Sequence, residues 1–179
     1  MGSITSRLRA LVARKRKLRV MLVGLDGAGK TTLLYRAFLD ETLSTVPTVS
    51  YNLEIIQHKC ATLTMWDFGG DERCRRVWVD FLAHQYHIVI FVVDATAVDR
   101  LDEAKHALHD ILGADAARDC RVLIFANKQD RAGALDDGAI SSALDLAHLK
   151  QRMWKVQGGS ATNGSGVHEG LAWCAQGGC

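Results

Sequence analysis

The sequence predicts an α/β fold: a six-stranded, mostly parallel sheet with helices on both faces and one antiparallel edge strand. Short apolar runs at residues 18–24, 87–94 and 121–128 are typical of buried strands. Helical segments alternate with these runs, which favours parallel connections. The hydrophobic fraction of 48% and the charged fraction of 23% are those of a globular chain.

The elements can be justified in order along the chain. A glycine-bearing loop joins the first strand to a helix, and two β-rich segments separated by a polar turn predict a hairpin with an antiparallel outer strand. Leu101, Leu108, Ile111 and Leu112 mark one face of a later helix. The predicted elements are strand 18–24, helix 30–39, strands 51–57, 61–67 and 87–94, helix 101–112, strand 121–128, a strand over 153–161 and helix 167–175.

The length and the charge distribution divide the chain into an arm and one domain. With 179 residues the chain suffices for a single domain, predicted over 18–179, after an N-terminal arm over 1–17. Residues 1–19 hold seven basic residues and no acidic one, whereas the remainder holds 15 basic and 20 acidic residues. A basic arm on an acidic body indicates an anionic partner for the arm alone.

Cysteine usage and hydropathy indicate the compartment. The five cysteines are scattered and form no Cys-x-x-Cys pair, which argues against a disulfide framework or a zinc site and favours a reducing compartment. The longest apolar run, residues 88–93, is too short to span a bilayer. We therefore expect a soluble, intracellular protein.

Residues 24–31, GLDGAGKT, match the phosphate-binding pattern G-x-x-x-x-G-K-[ST] between a predicted strand and a predicted helix. Glycines let backbone amides surround phosphate oxygens, and the helix N-terminus favours negative charge. Lys30 would reach the β- and γ-phosphates, and the Thr31 hydroxyl would bind Mg²⁺. A glycine-rich turn that only begins a helix is the alternative. The predicted phosphate-binding residues are Gly24, Leu25, Asp26, Gly27, Ala28, Gly29, Lys30, Thr31 and Thr32.

Residues 127–130, NKQD, follow a predicted strand and predict selectivity for guanine. The Asp130 carboxylate can accept from both N1–H and the exocyclic amine of guanine, a donor pair that adenine lacks. Asn127 and Lys128 would brace the loop and cover the base. Ser160 and Ala161 follow the last strand, where the Ala161 amide could donate to the guanine carbonyl. Alone, NKQD could be an ordinary surface turn, but together with residues 24–31 it argues against an ATP-binding protein.

Three further residues are predicted near the γ-phosphate and the metal. Asp67 ends a strand and suits a carboxylate that holds Mg²⁺ through water, and Thr48 is a candidate second hydroxyl ligand. The Gly70 amide can reach the γ-phosphate. Because these contacts need GTP, we expect the neighbouring segments to be ordered by GTP and loosened in GDP.

These motifs resemble the ADP-ribosylation factor (Arf) and Arf-like family of small GTPases. The resemblance rests on GLDGAGKTTLLY, PTVSYNLE, WDFGG, FVVDAT, FANKQD and GSATNGSGVHEGLAW, in the family's order. It implies a P-loop small G domain that binds GTP or GDP with Mg²⁺, is loaded by an exchange factor, is turned off with an activating protein, and binds effectors through its two switches and the hairpin between them. It further implies a peripheral protein on the cytosolic face of Golgi or endosomal membranes, in vesicle traffic or organelle organisation.

The sequence departs from the family pattern at three places. Ser50 replaces a usual glycine, the last helix is short, and Asp71 stands where the family has the glutamine that positions the attacking water. A shorter, acceptor-only side chain beside phosphate predicts slow GTP hydrolysis, with Asp71 and Gly70 as the catalytic-position residues. Either Asp71 would swing outward or it would take up a proton when GTP is bound. The alternatives are a harmless Asp71 and a GTP-dependent binding module that hardly turns over.

The N-terminal arm predicts membrane attachment. MGSITS fits the myristoylation pattern on Gly2, and Ile4, Leu8, Leu11 and Val12 fall on one helical face. One acyl chain binds only marginally, so the basic residues would supply a second attraction to an anionic membrane. The alternative is that MGS belongs to an expression tag. Nucleic acid is not expected as a partner, because no aromatic residue lies among the charges.

Overall fold

The computed structural model describes residues 15–39, 51–58, 61–150 and 152–176, and it contains the predicted sheet. The sheet has the strand order β2-β3-β1-β4-β5-β6, in which β2 pairs antiparallel with β3 and every other pairing is parallel. The predicted fold class is therefore confirmed, including the antiparallel edge strand. The strands are β1 (Arg16–Val23), β2 (Tyr51–Gln57), β3 (Ala61–Phe68), β4 (Ile88–Asp94), β5 (Arg121–Asn127) and β6 (Trp154–Gly158).

Helices cover both faces of the sheet. The described α-helices are α1 (Lys30–Leu39), α2 (Glu72–Arg75), α3 (Trp78–Leu82), α4 (Leu101–Gly113), α5 (Asp137–Ala143) and α6 (Val167–Ala175). Helices α1 and α6 pack on one apolar face, and α3, α4 and α5 pack on the other. Strand β4 is buried along IVIFVV, as expected for a central parallel strand.

The apolar face predicted for helix 101–112 is confirmed in α4. Leu101, Leu108, Ile111 and Leu112 are all buried and belong to the same cluster of core side chains. Each parallel strand has its carboxyl end at one edge of the sheet, so the loops after β1, β3, β4, β5 and β6 meet there. That edge therefore gathers the predicted nucleotide-binding motifs that lie within the described residues.

Some boundaries differ from the sequence-based expectation. Strand β1 begins at Arg16, so Arg16 and Lys17, predicted as part of the arm, lie in the first strand. Strand β6 ends at Gly158, because the Ser160 amide turns away and donates to the Ser165 carbonyl at 2.9 Å. The arm over 1–14 and residues 177–179 lie outside the described residues. No helix in the described parts of the chain is long and apolar enough to cross a membrane.

Candidate nucleotide-binding site

The loop between β1 and α1 has the backbone shape that a phosphate cradle requires. Gly24, Gly27 and Gly29 have φ values of 142°, 71° and 96°, a region that other residues rarely adopt. At Gly24 a Cβ atom would lie 2.2 Å from the Val92 carbonyl oxygen. The loop therefore needs glycine both for its conformation and for its close approach to β4.

Lys30 is the first residue of α1 and turns back over this loop. Its side chain is buried, and Nζ donates to the Leu25 carbonyl oxygen at 2.9 Å. Burial lowers the pKa of Lys30, while the nearby Asp67 carboxylate opposes that shift. The ammonium group thus sits inside the loop, at the position from which it could contact phosphate.

Thr31 and Asp67 form a compact pair of oxygen donors. The Thr31 hydroxyl donates to Asp67 Oδ2 at 2.6 Å, and Asp67 at the end of β3 is fully buried. A hydroxyl and a carboxylate are the hard oxygen ligands that Mg²⁺ prefers, so the donor set fits this ion. Thr32 follows in the first turn of α1. Thr48, the other predicted metal ligand, lies outside the described residues.

Asn127 joins the two predicted nucleotide-binding loops. Its side chain is 3% exposed; Nδ2 donates to the Ala28 carbonyl oxygen at 2.7 Å, and Oδ1 accepts from the Ala161 amide at 2.9 Å. A Cβ on Gly29 would lie 2.3 Å from Nδ2, so the close packing of Asn127 against the phosphate loop also requires glycine at position 29. One amide side chain therefore fixes the loop after β5 against the loops after β1 and β6.

The rest of the NKQD loop is held at its base and exposed at its tip. Lys128 has a φ of 68° and forms an ion pair with Asp94 at 2.5 Å, while the Gln129 amide donates to the Gly159 carbonyl oxygen at 3.1 Å. Burial alone would raise the pKa of Asp94, but hydrogen bonds from Lys128 and Thr96 outweigh it and lower that pKa. Asp130 is exposed in this loop, where its carboxylate can meet a ligand.

The loop after β6 is compact and tied to α1. Ser160 is fully buried and its hydroxyl oxygen accepts the amides of Thr162 and Asn163, each at 3.2 Å. Arg36 donates from Nε to the Ala161 carbonyl oxygen at 3.3 Å and from its guanidinium to the Thr162 carbonyl oxygen. The Ala161 amide already donates to Asn127 Oδ1. A guanine carbonyl that accepted from this amide would therefore share the donor with the Asn127 side chain.

Gly70 and Asp71 lie beside the phosphate loop. A Cβ on Gly70 would lie 2.5 Å from both the Asp26 amide nitrogen and the Gly24 carbonyl oxygen, so the two backbones are in direct contact. Asp71 is the N-cap of α2, and its Oδ1 accepts the Cys74 amide at 2.8 Å. That hydrogen bond is the main cause that lowers the pKa of Asp71. The carboxylate is therefore ionised at neutral pH and directed to its own helix.

The structure brings most of the predicted site residues together at one edge of the sheet. It also reveals two contacts that sequence reasoning missed: Arg36 on the loop after β6 and Arg100 on Asp26, where Nη2 lies 2.8 Å from Oδ1. Both join residues more than 70 positions apart. No local sequence signal identifies such pairs.

Comparison with known proteins agrees with this geometry. The model of the ADP-ribosylation factor family matches residues 4–177. The chain belongs to the ADP-ribosylation factor family. It is 40% identical over 178 residues to ADP-ribosylation factor J of Dictyostelium discoideum, covering 98% of this chain and 93% of the relative. It also matches the structure of the Arl6 BBS3 small GTPase from Trypanosoma brucei with the bound nucleotide analogue GppNp. That match has a TM-score of 0.82 and 30% identity, and it covers 91% of this chain and 99% of that one.

Family membership confirms the resemblance found in the sequence motifs and establishes the general class. Proteins of this family are small GTPases that bind GTP and GDP, typically with Mg²⁺. The family match therefore agrees with the guanine assignment made from Asp130 and the phosphate loop. The roles of individual residues, the rate of hydrolysis and the membrane attachment go beyond family membership.

Proposed function

We propose that this chain is an Arf-like molecular switch that binds GTP or GDP through residues 24–32, 127–130 and 160–161 and recruits effectors in its GTP state. The observation that carries the proposal is the double hydrogen bond of Asn127, which holds the phosphate loop and both base-side loops in one continuous site. Asp130 supplies the guanine-selective carboxylate beside it. Exchange factor, activating protein and effectors are its protein partners.

Guanine selectivity can be tested at Asp130. The Asp130→Asn variant replaces an acceptor by a donor, so it should bind GTP more weakly by orders of magnitude and gain affinity for xanthosine triphosphate, whose 2-carbonyl accepts. Asp115→Asn is a matched control, because Asp115 is exposed and lies before β5, away from the loops. Titration with fluorescent nucleotides gives both affinities. Unchanged GTP binding by Asp130→Asn would rule out the base-site assignment.

Magnesium would be held by Thr31 directly and by Asp67 through water, with Thr48 as a second hydroxyl ligand. The ion would neutralise charge on the β- and γ-phosphates. In the parent, EDTA should accelerate nucleotide release, since it removes that ion. Thr31→Ala should release nucleotide rapidly with or without EDTA. A Thr31→Ala protein that keeps the parent's full response to EDTA would contradict the metal assignment.

The off step is proposed to be impaired because Asp71 caps α2 instead of positioning water. Both carboxylate oxygens contact Cys74, at 2.8 Å to its amide and 3.5 Å to its sulfur. The lowered pKa of Asp71 favours an ionised, outward carboxylate over the protonated alternative. Phosphate charge nearby would repel the ionised carboxylate, which further favours the capping position.

Single-turnover hydrolysis of bound GTP tests this proposal. Asp71→Gln should hydrolyse GTP faster than the parent, particularly with an activating protein that supplies an arginine. Asp71→Asn is the matched control: it is uncharged, caps a helix as well as aspartate, and lacks the reach of glutamine, so it should stay slow. If the parent matches Asp71→Gln with and without the activating protein, the explanation fails. No turnover in parent or variant would instead favour the GTP-dependent binding module.

Membrane recruitment is proposed through myristoylated Gly2 and the basic arm, placing the protein on the cytosolic face of Golgi or endosomal membranes in vesicle traffic or organelle organisation. The support is the sequence pattern of residues 1–17, together with family membership. GTP-loaded, acylated protein should float with anionic liposomes, and Gly2→Ala should not. Neutralising Lys15, Arg16 and Lys17 should also release it. Because Arg16 and Lys17 lie in β1, neutralising Arg7, Arg9 and Arg14 is the companion variant that leaves this strand unchanged. Equal flotation of Gly2→Ala would exclude the lipid anchor.

A further inference from the structure

An ion-pair chain of four residues connects the phosphate loop to α2. Arg100 donates from Nη2 to Asp26 Oδ1 at 2.8 Å and from Nη1 to the Asp26 carbonyl oxygen at 3.2 Å. The same guanidinium donates from Nε to Glu103 Oε2 at 2.9 Å. Glu103 Oε1 in turn accepts from Arg75 of α2 at 2.7 Å. Glu103 thus accepts hydrogen bonds from two arginines that lie on different elements.

The ion-pair chain closes a ring with the backbone. Gly70 packs directly on the Asp26 and Gly24 backbone, and Asp71 caps the N-terminus of α2, whose last residue is Arg75. The segment 70–75 is therefore attached to the phosphate loop at both ends: by backbone contact at Gly70 and by side chains at Arg75. The four charges of the ion-pair chain alternate in sign, so each of its carboxylates lies beside at least one guanidinium.

The Asp26–Arg100 pair favours the charged form of both residues. The hydrogen bond from Arg100 is the main cause that lowers the pKa of Asp26, and the bond to Asp26 is the main cause that raises the pKa of Arg100. Arg75 is the most buried member, with 21% of its side chain exposed, whereas Asp26 is 58% exposed. Solvent therefore screens the outer pair, and each link contributes modestly.

We propose that Arg75, Glu103 and Arg100 are positioning residues that hold Gly70 against the phosphate loop and thereby selectively slow the release of GTP. This inference rests on the proposed function, in which the Gly70 amide contacts the γ-phosphate. A segment that is already held in place loses less conformational freedom when GTP binds. GDP has no γ-phosphate for Gly70 to contact. The ring therefore changes GTP release more than GDP release.

Dissociation rates of fluorescent GppNHp and GDP from the full chain test the proposal. Glu103→Gln should release GppNHp about fivefold faster, or about 1 kcal/mol at 1.4 kcal/mol per tenfold, and GDP within about twofold of the parent. Glu72→Gln is the matched control: it breaks the exposed Arg76–Glu72 pair on the same helix, outside the ring, and should change neither rate. Arg75→Gln removes the α2 end of the ion-pair chain without altering α4 and should reproduce the effect of Glu103→Gln.

The double variant Glu103→Gln/Arg75→Gln provides a readout that general destabilisation would not mimic. Because Glu103→Gln already breaks the Glu103–Arg75 link, the double variant should release GppNHp no faster than Glu103→Gln alone. An unchanged ratio of GppNHp to GDP release in Arg75→Gln would overturn the proposal, even if Glu103→Gln did not fold. Additive effects in the double variant would also overturn it. A parent that binds no guanine nucleotide would instead overturn the proposed function and this inference with it.

Discussion

Replacing Asn127 should lower the stability of the folded protein, because its buried side chain links three loops of the site. In Asn127→Ala the Ala28 carbonyl and the Ala161 amide lose partners at 2.7 and 2.9 Å, in a position where the parent side chain is 3% exposed. An unpaired buried polar group costs about 1–3 kcal/mol, so the free energy of unfolding should fall by about 3 kcal/mol, allowing for some entry of water. Asn127→Asp keeps the acceptor for Ala161 but places a carboxylate oxygen against the Ala28 carbonyl oxygen. It should be at least equally destabilised.

Urea unfolding in EDTA without nucleotide is the appropriate assay, because a ligand that binds only the native state would add to the measured stability. Asn163→Ala is the matched control from the loop after β6: Asn163 is exposed, and its Oδ1 accepts only a surface amide from Ser165. It should lose no more than about 0.5 kcal/mol. The reasoning is refuted if Asn127→Ala stays within that margin of the parent at an unchanged m-value.

Three further predictions follow from contacts elsewhere in the structure. Gly70→Ala should weaken GppNHp binding more than GDP binding in an equilibrium titration. Its Cβ would meet the phosphate-loop backbone at 2.5 Å and displace the Gly70 amide that is proposed to contact the γ-phosphate. Equal weakening of the two nucleotides would contradict this prediction. Arg121 donates to the carbonyls of Trp173, Cys174 and Gln176 and lies 4.2 Å over the Trp173 ring, so Arg121→Ala should lose about 2 kcal/mol in urea unfolding and Arg121→Lys clearly less. Burial and the neighbouring Arg16 and Arg19 lower the pKa of His87, whose Nδ1 accepts the Arg19 amide at 3.0 Å. The contribution of neutral His87 to the free energy of unfolding should therefore be fully present above its unfolded-state pKa, near 6.5. That contribution should fall as the pH drops from there toward the lower pKa of the folded state. His87→Gln should flatten the dependence of unfolding on pH between 7 and 5.5, and a parallel dependence would count against this cause.

The fold could be predicted from the sequence because the central strands β1, β4 and β5 contain apolar runs, and glycine-bearing or polar loops follow these strands. The predicted helix over 101–112 and the observed α4 differ by one residue, since the apolar face has a clear helical period. Helix α5 gave no such signal: it has seven residues, and its N-cap, Asp136, accepts only the Ala139 amide. Its position depends on packing of Ile140 and Leu144 in the core.

The site was predictable where one short motif carries the chemistry and not where distant segments meet. Residue type and spacing identify residues 24–31 as a candidate phosphate loop and, together with that loop, residues 127–130 as a candidate base-binding loop. The capping role of Asp71 required the backbone of α2, because an aspartate after two glycines fits a cap and a loop equally well. The pairing of Arg100 with Asp26 and of Glu103 with Arg75 depends on how α4 packs beside α2 and the phosphate loop.

The contacts of Arg36 make α1 a spacer of fixed length between the phosphate loop and the loop after β6. Lys30 begins this helix at the phosphate side, and Arg36 holds the carbonyls of Ala161 and Thr162 at the base side. Six residues at 1.5 Å each place the two attachment points about 9 Å apart along a rigid axis. A guanine nucleotide would then be bound as a bidentate ligand, in which engagement of one end raises the effective concentration of the other. A nucleoside or pyrophosphate alone reaches only one end, so its affinity should lack that chelate advantage.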